Sequence, residues 1–335
     1  MTHGHADTAP EPVIDSEADS RADPVADPLN DPITQPIPVT MADDRPTFED
    51  PEQDEDGSFR FGPRAALRPV PVSLPQRAAR PGDHVPDTEA DWLDTHGLCV
   101  RAVSVRGHSH RFLGEIRQDS FAIGLTDEYL VVAVSDGVGS AVNSHRGSAF
   151  LAHHAVGPRG IADAVLGSVE NGAEADLSGL ASFLIHEAAR DGVAPDTVAA
   201  TLIVALIGLE ETDGDGREVV VAQIGDSTAW VTTADGWECL EDDPQSGSGP
   251  LSTDVLPMPH HTRATIRRHS LRRTETLALV SDGVGNILSA NQSFGHELGV
   301  IWEKCAPTPS TLLSLVDATV KSYDDDRTFV GVRFG

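Results

Sequence analysis

A short acidic element occurs twice in the chain, as Val134-Ser135-Asp136-Gly137-Val138-Gly139 and Val280-Ser281-Asp282-Gly283-Val284-Gly285. Each copy follows an apolar run of β character, 129–134 or Thr276–Val280. Each therefore reads as a buried strand ending in a carboxylate, followed by a turn whose glycine lets backbone approach a ligand. A third acidic cluster, Asp324-Asp325-Asp326, precedes the β-rich run 328–334, and Asp119 stands just before Ser120–Leu125. Carboxylates at several strand ends, brought to one place, suit Mg²⁺ or Mn²⁺, because hard cations take oxygen ligands and keep several waters. Two such ions about 4 Å apart lower the pKa of a shared water and neutralise charge developing on a phosphoryl group. The residues point to metal-assisted phosphate chemistry with water as nucleophile. No cysteine, histidine or serine nucleophile is then needed, and the protein's part is positioning and electrostatics.

The elements that must carry these groups can be read from periodicity. Leu98–Val105 is the first expected strand, and 107–114 reads as a polar loop rich in His and Arg. Ser120–Leu125 and 129–134 flank Thr126-Asp127-Glu128, the spacing of a β-hairpin. Ser144–Ala155 and 177–189 have helical patterns, and 311–320 is a third expected helix. Further strands are expected at 198–209, 218–224, 227–232 and 263–271. Strands in paired runs, separated by helices, indicate an α+β protein with antiparallel sheets rather than alternating βαβ units. The duplicated acidic turn reads as two uses of one local solution, since its flanks differ.

Composition divides the chain of 335 residues, whose formal net charge is −29. Residues 1–95 hold 15 of the 23 prolines and carry 21 Asp and Glu against 7 Arg and no Lys. With few aromatics and no sustained apolar period, such a segment cannot bury enough surface to offset its chain entropy. Residues 1–90 are therefore expected to be a disordered, acidic, Pro-rich segment, and 96–335 the catalytic domain. The strong negative charge argues against nucleic acid and anionic membrane as partners. The longest apolar stretch, 198–209, is too short to span a bilayer, and Met1-Thr2-His3-Gly4-His5 lacks the start of a signal peptide. Cys99, Cys239 and Cys305 are few, odd in number and widely spaced. They suit a reducing compartment, so a cytoplasmic protein is expected.

The motifs, taken in order, resemble the metal-dependent type 2C protein phosphatases, the PPM family. They are Gly107-His108-Ser109-His110 through Arg117-Gln118-Asp119-Ser120, then Ser135-Asp136-Gly137-Val138-Gly139-Ser140-Ala141 with Ser144 and Gly147-Ser148. Ala200-Thr201-Leu202, Gln223-Ile224-Gly225-Asp226-Ser227, Ser281-Asp282-Gly283 and Asp324-Asp325-Asp326-Arg327-Thr328 follow. The likeness is closest to a bacterial branch with Ser-His and Gln-Asp in its first motif, and spans about Arg101 to Arg333. It implies a four-layer α-β-β-α sandwich of two antiparallel sheets flanked by helices, with a centre of two Mg²⁺ or Mn²⁺ ions at one end. Carried over, Asp136 bridges both ions, the Gly137 carbonyl binds one, and Asp282 and Asp325 complete a shell. Asp119 holds a metal-bound water, and Asp226 reads either as an aspartate just behind the ligands or as a turn former.

Two departures matter. The family's Glu-Asp pair is Gln118-Asp119 here, one carboxylate short, and the usual phosphate-gripping Arg position is Gly114. Arg111 or Arg117 would have to supply that grip; Arg111 is preferred, with Arg117 otherwise a solvated loop charge. His110 has two open readings, proton donor to the leaving alkoxide or structural hydrogen-bonder. Asp326, where the family has Asn, either tightens a metal or accepts hydrogen bonds beside it. The basic stretch 257–275 is an edge strand guarded by charge, or else a docking surface for acidic phosphopeptides or for the chain's own acidic N-terminal segment. The implied function is hydrolysis of phosphoserine and phosphothreonine in proteins, with a phosphorylated protein substrate and a cognate Ser/Thr kinase pathway as partners. The alternatives are a catalytically weak regulatory module that binds phosphoprotein and a two-metal phosphodiesterase or nuclease, the last disfavoured by the acidic charge.

Overall fold

The computed structural model describes residues 52–53, 59–61, 85–157, 160–171, 174–212, 216–240 and 256–335. In chain order the elements are β1 (Glu52–Gln53), β2 (Phe59–Phe61), β3 (Thr88–Thr95), β4 (Leu98–Val105), α1 (His108–Leu113), β5 (Ser120–Leu125) and β6 (Tyr129–Ser135). Then come α2 (Ser144–Ala155), α3 (Ala162–Asn171), β7 (Ala175–Asp176), α4 (Ser178–Arg190), β8 (Leu202–Gly208), β9 (Gly216–Ile224), β10 (Thr228–Thr233) and β11 (Gly236–Cys239). The last are β12 (Arg263–Arg272), β13 (Thr276–Val280), α5 (Asp282–Ala290), α6 (Gln292–Val300), α7 (Pro309–Val316), β14 (Thr319–Val320) and β15 (Arg327–Phe334).

Two six-stranded antiparallel sheets dominate, in the orders β11-β10-β13-β15-β4-β3 and β5-β6-β8-β9-β12-β7. Alternation within strands explains why they stack. In β6, Leu130, Val132 and Val134 join the core shared by both sheets, while Val131 and Ala133 face the layer of α2, α3 and α4. In β4, Val100 and Ala102 join the shared core, and Val103 and Val105 pack with Ile287, Phe294 and Leu312 of α5, α6 and α7. The result is the four-layer α-β-β-α sandwich.

The structure departs from the sequence reading in several places. Leu98–Val105 is not the first strand of its sheet: β3 precedes it and pairs with β4 along its whole length. Residues 107–114 are not simply loop but contain α1, closed by Gly114 at φ 75°. The helix expected over 311–320 ends at Val316, and Thr319–Val320 pairs instead with β2. The second acidic turn is the start of a helix, α5. The disorder expected for 1–90 falls largely outside the described residues. Within that range Phe61 is buried and meets the Phe294 ring edge-on at 5.5 Å.

The basic stretch follows its edge-strand reading. β12 pairs with β9 over Thr265–Arg272, and with β7 only at Arg263 and Ala264. Its charges are locally matched: Arg268 to Glu218 at 2.5 Å, Arg272 to Glu275 at 3.4 Å, and Arg267 to the Gln223 amide oxygen at 2.7 Å. Among the described residues no helix is long and apolar enough to cross a membrane.

Candidate metal centre

The loop ahead of β15 is the hub of the site. Asp326 is 2% exposed, and both its carboxylate oxygens accept backbone hydrogen bonds, from Gly107 N at 2.7 Å and Gln118 N at 2.5 Å. One side chain therefore clasps both ends of the first motif against the last. Two glycines permit the close approach. A Cβ on Gly107 would lie 2.3 Å from the Asp325 carbonyl carbon, and one on Gly283 2.0 Å from the Asp326 carbonyl oxygen. Acceptor of hydrogen bonds is thus one of the two roles open to Asp326.

Asp136 follows the last residue of β6, where Thr201 holds it from two sides: Asp136 N donates to Thr201 Oγ1 at 3.1 Å, and Thr201 N donates to Asp136 O at 2.8 Å. Asp282 is the first residue of α5, immediately after Ser281. Ser281 is paired with Thr328 through Ser281 N to Thr328 O at 3.1 Å and Thr328 N to Ser281 Oγ at 2.9 Å. Thr328 also donates to Asp119 Oδ2 at 2.8 Å, and its hydroxyl lies 2.7 Å from Ser104 Oγ. Thr328 thus links the Asp119 loop to the start of α5. Asp119 Oδ1 is buried and has no hydrogen-bond partner of ordinary geometry.

The electrostatics identify these carboxylates as one group. Burial, then the charges of Asp119, Asp282 and Asp325, hold the Asp136 carboxyl well above the usual range. Burial, then Asp326, pushes Asp119 up to about 7; hydrogen bonds from Ser281 and Thr328 only partly oppose this. Burial, then Asp325 and Asp226, pushes Asp282 up to about 6. Asp226 is raised too, by partial desolvation and then by the charge of Asp325, so this surface-exposed residue stands beside the cluster. Its signal in the sequence was Gly225-Asp226-Ser227. A set of mutually repelling oxygen donors, running from buried Asp119 through half-buried Asp136 and Asp282 to exposed Asp325, with an orphaned buried oxygen, fits hard divalent cations.

The first-motif cations lie elsewhere than expected. Arg117 is 2% exposed, not a solvated loop charge, and gives Nη2 to Glu89 of β3 at 2.5 Å. Arg111 Nη1 pairs with Asp317 at 3.1 Å, and its side chain lines a small cleft with His108, Asp325 and Arg327. His110 is 8% exposed, with Nδ1 2.9 Å from Asp326 Oδ1 and Nε2 3.9 Å from Asp325 Oδ1. Burial lowers its pKa, but the Asp326 contact, then the charges of Asp326, Asp325 and Glu115, outweigh this and raise it. Gln118 does not replace the missing carboxylate; its amide oxygen accepts from Ser144 Oγ at 2.7 Å.

The sequence profile described as Protein phosphatase 2C matches residues 106–317, from the end of β4 to the end of α7. The chain belongs to the protein phosphatase 2C family. Its fold is similar to that of a bacterial serine phosphatase carrying one substitution, at 16% identity and TM-score 0.51, over 70% of this chain and 97% of that one. A second substituted form of a bacterial serine phosphatase aligns at 17% identity and TM-score 0.50, over 70% and 98%. RsbX in complex with magnesium aligns at 14% identity and TM-score 0.47, over 74% and 100%. No curated protein sequence matches the chain. This protein phosphatase 2C chain carries Asp136-Gly137 and Asp282-Gly283, with Gln118 ahead of Asp119 and a glycine at 114.

Proposed function

We propose that the chain is a metal-dependent protein serine/threonine phosphatase acting on phosphorylated protein in a cytoplasmic Ser/Thr kinase pathway. The observation that carries this is the convergence of Asp119, Asp136, Asp282 and Asp325, which raise or share in raising one another's pKa. Among the described residues, Asp119, Asp136 and Asp282 have no ion pair with Lys or Arg to relieve that repulsion. Asp136, the Gly137 carbonyl, Asp282 and Asp325 would hold two Mg²⁺ or Mn²⁺ ions. Bound, the cations supply Lewis acidity and a water of lowered pKa.

The remaining work belongs to this chain's residues. Asp119 offers Oδ1 to orient the attacking water, while the Thr328 bond to Oδ2 fixes the carboxylate plane. Arg111 would meet the substrate phosphate from the cleft beside Asp325, with Asp317 holding one of its nitrogens. A second reading, a weak enzyme that mainly binds phosphoprotein, is favoured by the engagement of Gln118 with Ser144 and of Arg111 with Asp317.

One assay separates them: hydrolysis of an aryl phosphate and a phosphothreonine peptide after EDTA, with and without Mn²⁺. Turnover restored by Mn²⁺ and abolished in both Asp136→Ala and Asp282→Ala is expected for the enzyme. Tight phosphopeptide binding with no turnover would establish the second reading instead.

A further inference from the structure

The first loop lacks the carboxylate that its acidic pair would have supplied, and Gln118 is turned to Ser144. A different side chain from the same loop reaches the centre. His110 lies on α1 and is 8% exposed, with its two ring nitrogens in different surroundings. Nδ1 is 2.9 Å from Asp326 Oδ1, close enough for charge attraction though outside hydrogen-bond geometry, and Asp326 is itself pinned by the Gly107 and Gln118 amides. A fixed carboxylate beside one ring nitrogen favours the ring orientation that leaves the other nitrogen to a metal, and a small rotation of the ring completes the hydrogen bond.

The other nitrogen, Nε2, stands 3.9 Å from Asp325 Oδ1 and 3.6 Å from Glu115 Oε2. Both separations exceed a hydrogen bond. They fall between about 3 Å and about 4.2 Å, the spacing of two ligands sharing one cation with bonds of about 2.1 Å. His110, Asp325 and Asp326 also offer ligand atoms all within 4.8 Å of one another.

Resting on the metal-centre reading above, we propose that His110 Nε2 is a nitrogen ligand to a cation it shares with Asp325, with Asp326 as the positioning residue. In this role His110 replaces the missing carboxylate of the first loop and is not the proton donor. The consequence is selectivity. Mg²⁺ is held by oxygens and keeps its waters, whereas imidazole favours first-row transition cations. The centre therefore discriminates against Mg²⁺ more strongly than an all-oxygen set does.

The test uses the full chain, stripped with EDTA and loaded with Mn²⁺, and reads pulsed electron paramagnetic resonance together with Mn²⁺ and Mg²⁺ affinities by calorimetry. A ¹⁴N coupling from a directly bound imidazole is expected, lost in His110→Ala. The same substitution should weaken Mn²⁺ at least tenfold and Mg²⁺ less than twofold. The wild-type spectrum decides even where the variant does not fold. Mn²⁺ bound without ¹⁴N coupling, or a coupling that survives His110→Ala, overturns the ligand assignment and leaves the carboxylate centre standing. No Mn²⁺ binding at all overturns both.

Discussion

Thr328 Oγ1 donates a 2.8 Å hydrogen bond to Asp119 Oδ2, joining residues 209 positions apart inside the acidic cluster. The same threonine is paired through its backbone with Ser281, the neighbour of Asp282. A hydroxyl is needed here because Asp119 is fully buried and its other oxygen is already orphaned. Thr328→Val keeps the shape and removes the donor. It should cost about 1–3 kcal/mol of stability in the metal-free protein. With Asp119 no longer oriented, kcat should fall about tenfold, equivalent to about 1.4 kcal/mol in the barrier. Thermal melts and steady-state kinetics check both; an unchanged kcat would remove Asp119 from the positioning of water.

The acidic cluster makes stability depend on pH. Unfolded, these carboxylates titrate near 4. In the folded, metal-free centre Asp119 is pushed up to about 7 and Asp282 to about 6. Between these limits the folded state binds more protons than the unfolded one, so stability falls as pH rises from about 4 to about 7. In EDTA the Tm is expected to be lower at pH 8 than at pH 5.5. Mn²⁺ should raise it more at pH 8, where fewer protons compete for the ligands. A Tm in EDTA that climbed over this interval would contradict the buried cluster.

Truncation should distinguish two boundaries. Removing residues 1–84 deletes β2 and the buried Phe61, and should lower stability by about 2–3 kcal/mol while leaving a folded, metal-dependent domain. Removing 1–95 also takes β3, and with it Glu89, the partner of buried Arg117, and Asp87, which pairs with Arg106 at 3.2 Å. Stranding a buried guanidinium costs about 3–5 kcal/mol, so this shorter chain should be insoluble or unfolded. Circular dichroism of the two products decides; equal melts would mean that β3 contributes nothing.

The two first-motif arginines should behave differently on replacement by lysine. Arg117→Lys is expected to lower Tm and leave the KM for a phosphopeptide unchanged, since the side chain is spent on Glu89. Arg111→Lys should raise that KM severalfold with Mn²⁺ affinity unchanged, because an ammonium cannot reproduce the fork. If KM does not move in Arg111→Lys, the phosphate is held by other groups.

Much of the scaffold was legible because alternation and helical period are local properties. Leu98–Val105, Ser120–Leu125, Ser144–Ala155 and Thr276–Val280 have the bounds their patterns suggest. β3 was not legible. Its sequence, Thr88-Glu89-Ala90-Asp91-Trp92-Leu93-Asp94-Thr95, is acidic and largely exposed, and it is a strand because β4 offers it an open edge. The fate of Arg117 was hidden for the same reason, since its partner sits on that strand.

The sequence by itself pointed to the kind of chemistry: Asp136 and Asp282 each follow an apolar strand within an Asp-Gly pair, and carboxylates so placed suit hard divalent cations once several are brought together. Tertiary structure decided how they are held. The same Ser-Asp-Gly-Val-Gly run bridges to Ala200 in its first copy and opens α5 in its second. The first copy is pinned by a neighbouring chain segment, Val138 N to Ala199 O at 3.0 Å, while the second is followed by residues free to wind as a helix. Tertiary structure likewise decided that Asp326 clasps the first motif and that His110 faces Asp325. These contacts join residues more than 200 positions apart, and no local pattern records which distant groups a buried carboxylate will meet.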